Sequence, residues 1–326
     1  MTPEPAKTPP RKLHLPLWLA IVFAIICGAG VAVQSRINGE LGRRLDDGFA
    51  AAVISFGSGL IILAVALLVS PVGRRGLGRV RDALRTRDLP WWYVCGGAAG
   101  AFLVLSQGLT AAVLGVALFT VAIVAGQTVS GLVLDRVGLG PGGRRDLTPA
   151  RVTGAALALV AVIWAVSAQI GGSVPLWMLV LPLIAGLGIG WQQAVNGQVR
   201  VTAESALTAT FINFVVGTAV LVVLMIVHTA LVGWPEPLPP EPWLYVGGAI
   251  GCVFIAGTAL IVRITGVLVL GLATVAGQLV AALLLDAFAP GAHPIAASTI
   301  GGTLLALVAV AVASVRWSRR RTSPAS

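Results

Sequence analysis

The sequence predicts an all-α integral membrane protein of ten transmembrane helices, arranged as two inverted five-helix repeats. Three observations lead there: a charge-poor composition, a series of charge-free runs of spanning length, and a passage that occurs twice. Of 326 residues, 57% are hydrophobic and only 10% charged, against about a quarter charged in an ordinary soluble domain. So few charges cannot cover that much apolar surface in water, and the solvent around most of the chain is therefore lipid. The net charge of +10 does not point to nucleic acid. The basic residues fall in short clusters between apolar runs, a pattern that orients a chain in a bilayer rather than one that binds a polyanion. Cys27, Cys95 and Cys252 occur singly in apolar surroundings, which suggests neither a metal site nor a redox pair. None of the glycines precedes a phosphate-binding Gly-Lys-Ser/Thr motif. No cofactor is expected; the expected partners are the lipid bilayer and a small solute.

Each span follows from length, since crossing the hydrocarbon takes about 20 mostly apolar residues. Leu13 to Ser35 supplies the first, preceded by a basic tail over residues 1–12, and Phe49 to Val69 the second. Leu89 to Leu134 carries no Lys, Arg, Asp or Glu and holds two helices with a tight turn near Thr110 to Leu114. Val152 to Val199 gives two more, broken at Gly-Gly-Ser-Val-Pro. Ala206 to Val232, Trp243 to Val262, Ile264 to Leu285 and Ile295 to Val315 complete ten, followed by a tail over residues 316–326. With the N-terminus inside, the cytoplasmic segments collect 19 Lys and Arg and the outside only Arg36, Arg43 and Arg44. Both termini are therefore expected in the cytoplasm, in an inner or plasma membrane. The loop from Pro71 to Pro90 holds six of those arginines, which fix orientation and could contact anionic lipid.

The repeat is read directly. Gly28, Gly30, Gln34, Asn38 and Gly39 recur as Gly186, Gly188, Gln192, Asn196 and Gly197, at a constant offset of 158. At the same offset Phe56 and Gly59 meet Phe214 and Gly217. The offset becomes 151 after the basic loop, where Val-Ala-Gly-Gln at Val124 meets its copy at Val275 and Asp135 meets Asp286. It is 148 for the last helix, from Gly154 against Gly302. The two units run over 13–170 and 176–315. Five is odd, so the second copy enters the bilayer from the opposite side. Arg263 aligns with Ala112, and the charge appears only in the copy whose turn faces the cytoplasm. Inverted repeats of this kind are a transporter architecture.

The segments "QSRINGELGRRL" and "ISFGSGL", with their echoes "QQAVNGQV" and "INFVVGT", resemble the drug/metabolite transporter superfamily, and within it the YdcZ-type family of inner-membrane exporters. That resemblance implies ten helices and an exporter-like role with an undefined substrate. Two units that are separate in such a family are fused here, which removes the usual need for a partner and leaves a self-sufficient monomer or a homodimer open.

Polar side chains in hydrocarbon are expensive and so become functional candidates. Gln127 and Gln278 each lie about 12 residues into a fourth helix, or roughly 18 Å along a path of about 30 Å, near the midplane. They could line a shared cavity, or they could only tie neighbouring helices together, worth about 0.6 kcal/mol on average. Gln34 and Asn38 share a helix face, as do Gln192 and Asn196. The first pair is expected toward the outside and the second toward the cytoplasm, so that they serve as matched gates or helix ends rather than one site. Gly39 and Gly197 would then cap those helices. Asp135 and Asp286 close their helices at opposite faces and are candidates for proton coupling, with an Asp135–Arg136 ion pair the plainer expectation. No His, Asp, Glu and Cys constellation converges, so no enzyme is expected. A secondary transporter of small polar or drug-like solutes leads; a channel or a lipid-handling protein is the alternative.

Overall fold

The computed structural model describes residues 15–167, 175, 177–288 and 296–314. The tails at 1–12 and 316–326 and most of the Gly-Gly-Ser-Val-Pro break lie outside the described residues. Eight helices are long and apolar enough to cross a membrane: α1 Leu17–Leu45, α2 Gly48–Val69, α4 Trp91–Leu114, α5 Val116–Val137, α7 Trp177–Ala203, α8 Ala206–Val232, α9 Pro242–Thr265 and α10 Val267–Ala287. Two shorter apolar helices, α6 Pro149–Ser167 and α11 Ala297–Ser314, complete the bundle. The protein is a multi-pass membrane protein.

The remaining helix was not foreseen. The basic loop folds as α3, Pro71–Arg85, with Ser70 Oγ accepting from Gly73 N at 3.1 Å to start it. Gly73, Gly76 and Val80 face inward while all six arginines of the loop stay exposed. Glycines at that spacing let α3 lie close on the ends of α7 and α8, and Thr208 Oγ1 donates to Gly73 O at 2.8 Å. α3 is thus amphipathic, with its glycine face on the bundle and its arginines outward.

Other boundaries also differ from expectation. α1 runs on past Ser35 to Leu45, because Arg43 and Arg44 are held by Glu40 three and four residues earlier and so cost the helix little. Gly39 and Gly197 are therefore interior and not caps. α1 ends instead at Asp46 (φ 48°), followed by Asp47, which accepts from Phe49 N and Ala50 N at 2.8 and 3.0 Å. The second half repeats the device at offset 158: Glu204 (φ 51°), then Ser205 accepting from Thr208 N at 3.2 Å. The turn expected over Thr110 to Leu114 is helix, beginning with a π turn at Gln107–Ala111. Chain reversal falls on Gly115 (φ 76°), and its counterpart is Gly266 (φ 78°) at offset 151. Only glycine tolerates that backbone cheaply.

Packing is the same when the halves are exchanged. α1 packs on α10 as α7 packs on α5; α9 packs on α2 as α4 packs on α8. The equivalent helices α2 and α8 meet each other, as do α5 and α10, and α6 and α11. α2 and α8 cross antiparallel, with the Phe56 ring against Gly217 and the Phe214 ring against Gly59. Those two rings stack at 4.7 Å. Gly97 lies on the backbone of Asn213 and Gly217, and Gly248 on that of Ser55 and Gly59, which are corresponding contacts. With no hydrophobic force between helices in lipid, such close approach supplies the attraction.

A methyl group at Gly248 would overlap Ser55 O, whereas one at Gly57 would meet nothing. Gly248→Ala should destabilise the detergent-solubilised protein by about 1–3 kcal/mol, read as a lower melting temperature, while Gly57→Ala should not lower it.

Candidate functional site

Helices α1, α2 and α4 of the first half and α7, α8 and α9 of the second surround one small cavity of ≈ 20 Å³. As packed it admits little more than a water molecule. Gln34 and Gln192, equivalent under the repeat, both line it, over Gly251 and Gly100 respectively. This corrects the expectation that Gln34 and Gln192 cannot share a site. The cause is helix length: with α1 and α7 at 29 and 27 residues, Gln34 and Gln192 fall near mid-helix rather than at an end. Phe56 and Phe214 close the cavity on one side, and no ionisable side chain lines it.

The two amide sets hang from the same skeleton but find different partners. Gln34 Nε2 donates to Gly247 O at 2.8 Å. Asn38 Nδ2 donates to Gln107 Oε1 at 2.7 Å, and Gln107 Nε2 donates to Ser35 Oγ at 3.0 Å. In the other half Gln192 Nε2 and Asn196 Nδ2 both donate to Asn213 Oδ1, at 3.0 and 2.8 Å. Asn196 shares the Asn213 acceptor with Gln192, whereas Asn38 bonds Gln107 and not Gln34; neither asparagine lines the cavity itself. Gln192 is fully buried, yet its Oε1 has no partner among the described residues, and neither does Ser55 Oγ.

Gln107, Asn213 and Ser55 escaped the sequence reading. Asn213 and Ser55 occupy the same position of the repeated Phe-x-x-Gly segment, so a polar residue in both copies was the available signal. Gln107 had no such echo, since Thr258 stands at its counterpart. Gln127 and Gln278 do lie deep, 3% and 1% exposed, but they are not in this cavity. Their helices pack mainly against α1, α6, α7 and α11, behind the six helices that form it. Gln127 Oε1 and both amide atoms of Gln278 have no partner among the described residues.

Asp135 and Asp286 close a reciprocal pair of contacts between the halves. A helix begins with N–H groups that nothing inside it can satisfy, and Gly115 and Gly266 have no side chain to cap them. Asp286 accepts from Val116 N and Ala117 N at 3.3 and 2.8 Å. Asp135 accepts from Val267 N and Leu268 N at 3.0 and 3.1 Å. Each fourth helix therefore ends on the start of the other, which makes α5 and α10 antiparallel. The expected Asp135–Arg136 pair is not formed, because successive helical residues point apart. Arg136 reaches Asp146 at 3.7 Å, and Asp135 meets Arg151 at 3.5 Å.

A family described as "Putative inner membrane exporter, YdcZ" matches residues 19–164 and again 177–312. The chain belongs to this family. The double match makes it two fused YdcZ units, one in each half. Among curated proteins none matches the chain. Nine solved chains match in structure. One, described as "Crystal structure of protein", has a TM-score of 0.59 at 18% identity, covering 91% of this chain and 95% of its own. At that identity the likeness concerns the fold alone.

Removing either aspartate should expose how unequal the two contacts are. Asp286→Ala frees two backbone N–H groups and should cost about 0.5–2 kcal/mol, as for other lost caps. Asp135→Ala also strands the half-buried Arg151 and should cost more, about 3–5 kcal/mol. Thermal unfolding of the two variants side by side gives the order.

Proposed function

We propose that this YdcZ-family protein is a secondary transporter that moves small polar or drug-like solutes, in the export direction its family description gives. It would work by alternating access between two inverted five-helix halves. The ten helices cross the bilayer with both termini in the cytoplasm. The observation that carries the reading is that Gln34 and Gln192, equivalent residues of the two halves, line one cavity where the halves join. Antiparallel equivalent helices support the inversion, since a copy turned over in the membrane must run the other way.

The aspartate contacts supply the two ends of such a cycle. From Val116 to Asp135 is 19 helical steps, about 28 Å, close to the hydrocarbon thickness of about 30 Å. One contact therefore lies near each face, and opening the cavity to a face would part the helix ends there. Asp286, unlike Asp135, has no cation paired with it among the described residues, which makes it the candidate for proton coupling. Asp286→Asn should then flatten the pH dependence of uptake into inside-out vesicles; an unchanged profile would exclude coupling at that residue.

Two measurements test the reading. Single-cysteine labelling should place residues 71–90 and 235–240 on opposite sides of the bilayer; the same side for both ends the inverted arrangement. Proteoliposomes screened with metabolites, amino acids and cationic drugs should show saturable counterflow, lowered at least about tenfold by Gln34→Leu or Gln192→Leu, the order of one lost hydrogen bond. Flux that never saturates would indicate a channel instead.

A further inference from the structure

The equivalent helices α2 and α8 are fastened at both ends of their crossing, and the two fastenings differ in chemistry. Where α8 starts, Thr208 Oγ1 donates to Gly73 O at 2.8 Å, in the first turn of α3 just past the end of α2. Both groups are neutral, and the ion pair beside them, Arg79–Glu204 at 3.2 Å, contains no histidine. Where α8 ends, His228 reaches the start of α2. Its ring stacks on Phe49, with centroids 4.3 Å apart and planes 16° from parallel. Its Nε2 lies 3.8 Å from Asp47 Oδ2, and the side chains are 25% and 3% exposed respectively. The other oxygen of Asp47, Oδ1, caps α2 through Phe49 N and Ala50 N. At the offset of 158, Ser205 and Ser70 stand where Asp47 and His228 do, so these positions carry titratable groups at one end only.

We infer that His228 and Asp47 form a proton-binding site, at which acidity on the side of residues 235–240 tightens the join between the halves. A separation of 3.8 Å is too long for a hydrogen bond, so a neutral imidazole gains little from the carboxylate. A protonated one gains twice: Coulombic attraction to Asp47, which is shielded from bulk water, and cation–π attraction to the Phe49 ring beneath it. Histidine is the side chain whose charge changes between about pH 5 and 8, and the exposed quarter of His228 keeps the cation partly hydrated. The join is therefore firm when that side is acid and loosens as the pH there rises. Every other charge at this end is engaged elsewhere or exposed. On α1, Arg43 pairs with Glu40, and Arg44 pairs with Glu40 and with Glu241 before α9. Asp46 and Glu236 are exposed and form no ion pair among the described residues. α2 carries no ionisable side chain, α8 none besides His228, and α9 at this end only Tyr245, whose hydroxyl donates to Pro239 O. Use of the site as a brake on opening to that side rests on the alternating-access reading; the proton site itself does not.

Amide hydrogen exchange of the purified full chain in detergent, corrected for the chemical exchange rate at each pH, reads local opening at each end of the α2–α8 pair. Protection over residues 48–53 and 224–232 should be about threefold greater at about pH 5.5 than at about pH 8, within the range of a partly exposed ion pair. Residues 66–76 and 205–212, at the Thr208 end, should show no such change. Asp47→Asn keeps a capping oxygen and loses the charge, and His228→Phe keeps the stack; both should hold the pH 8 level of protection at either pH. His228→Arg keeps a cation throughout, and its planar head can still stack on Phe49. It should be protected at both pH values, a gain that misfolding cannot mimic. No response in the unaltered protein, a response that survives Asp47→Asn, or an equal response at the Thr208 end would overturn the inference. Exchange that responds as expected in a protein without counterflow in proteoliposomes would leave the proton site standing and remove the transport reading instead.

Discussion

A helix that starts inside or beside a bilayer must find acceptors for its first N–H groups where water is scarce. In this chain the fourth helix of each half begins at a glycine with positive φ, which makes the sharp reversal possible but offers no cap. The acceptor comes from the far end of the corresponding helix in the other half. Neither half can complete its own fourth helix, and the two units are held together at both ends of the α5–α10 pair by the same need. Asp135 and Asp286 thus tie secondary structure to assembly: the helix start is satisfied only when the halves are docked.

Around that pair the architecture is built from close approach. Gly97 and Gly248 bring α4 and α9 against the backbones of α8 and α2, and the Phe56–Phe214 stack fills what remains between α2 and α8. Tight crossings there leave the space between the six helices slightly underfilled, and the amides of α1 and α7 face into it. The cavity amides are held by hydrogen bonds within the protein, Gln34 to Gly247 O and Gln192 to Asn213 Oδ1. Membership of the YdcZ family of inner-membrane exporters supports a general role in transport.

The sequence was informative wherever a single helix decides the outcome. Ten apolar runs, their lengths and the repeated skeleton could be read because hydrophobicity and spacing are local properties. Boundaries were harder. Arg43 and Arg44 read as the end of a span, but Glu40 lies one turn away and keeps the helix going to Leu45. That ten-residue extension moved Gln34 from a predicted helix end to mid-helix and so changed the site. Likewise the six arginines of the basic loop concealed an amphipathic helix, whose glycine face makes sense only against the ends of α7 and α8.

What the sequence determined alone was the membrane as solvent, the duplicated unit and the residues rare enough to matter: Gln34, Asn38, Gln192, Asn196, Asp135 and Asp286 were all visible through the repeat. What only the tertiary structure decided was which of them meet. Asp135 and Asp286 face helix starts more than a hundred residues away, Gln34 and Gln192 share one space, and Gln127 and Gln278 do not join them. Periodicity reports the environment of one helix, whereas contact depends on how far helices from two halves approach each other, and that distance is set by glycine crossings at positions remote from the residues they bring together.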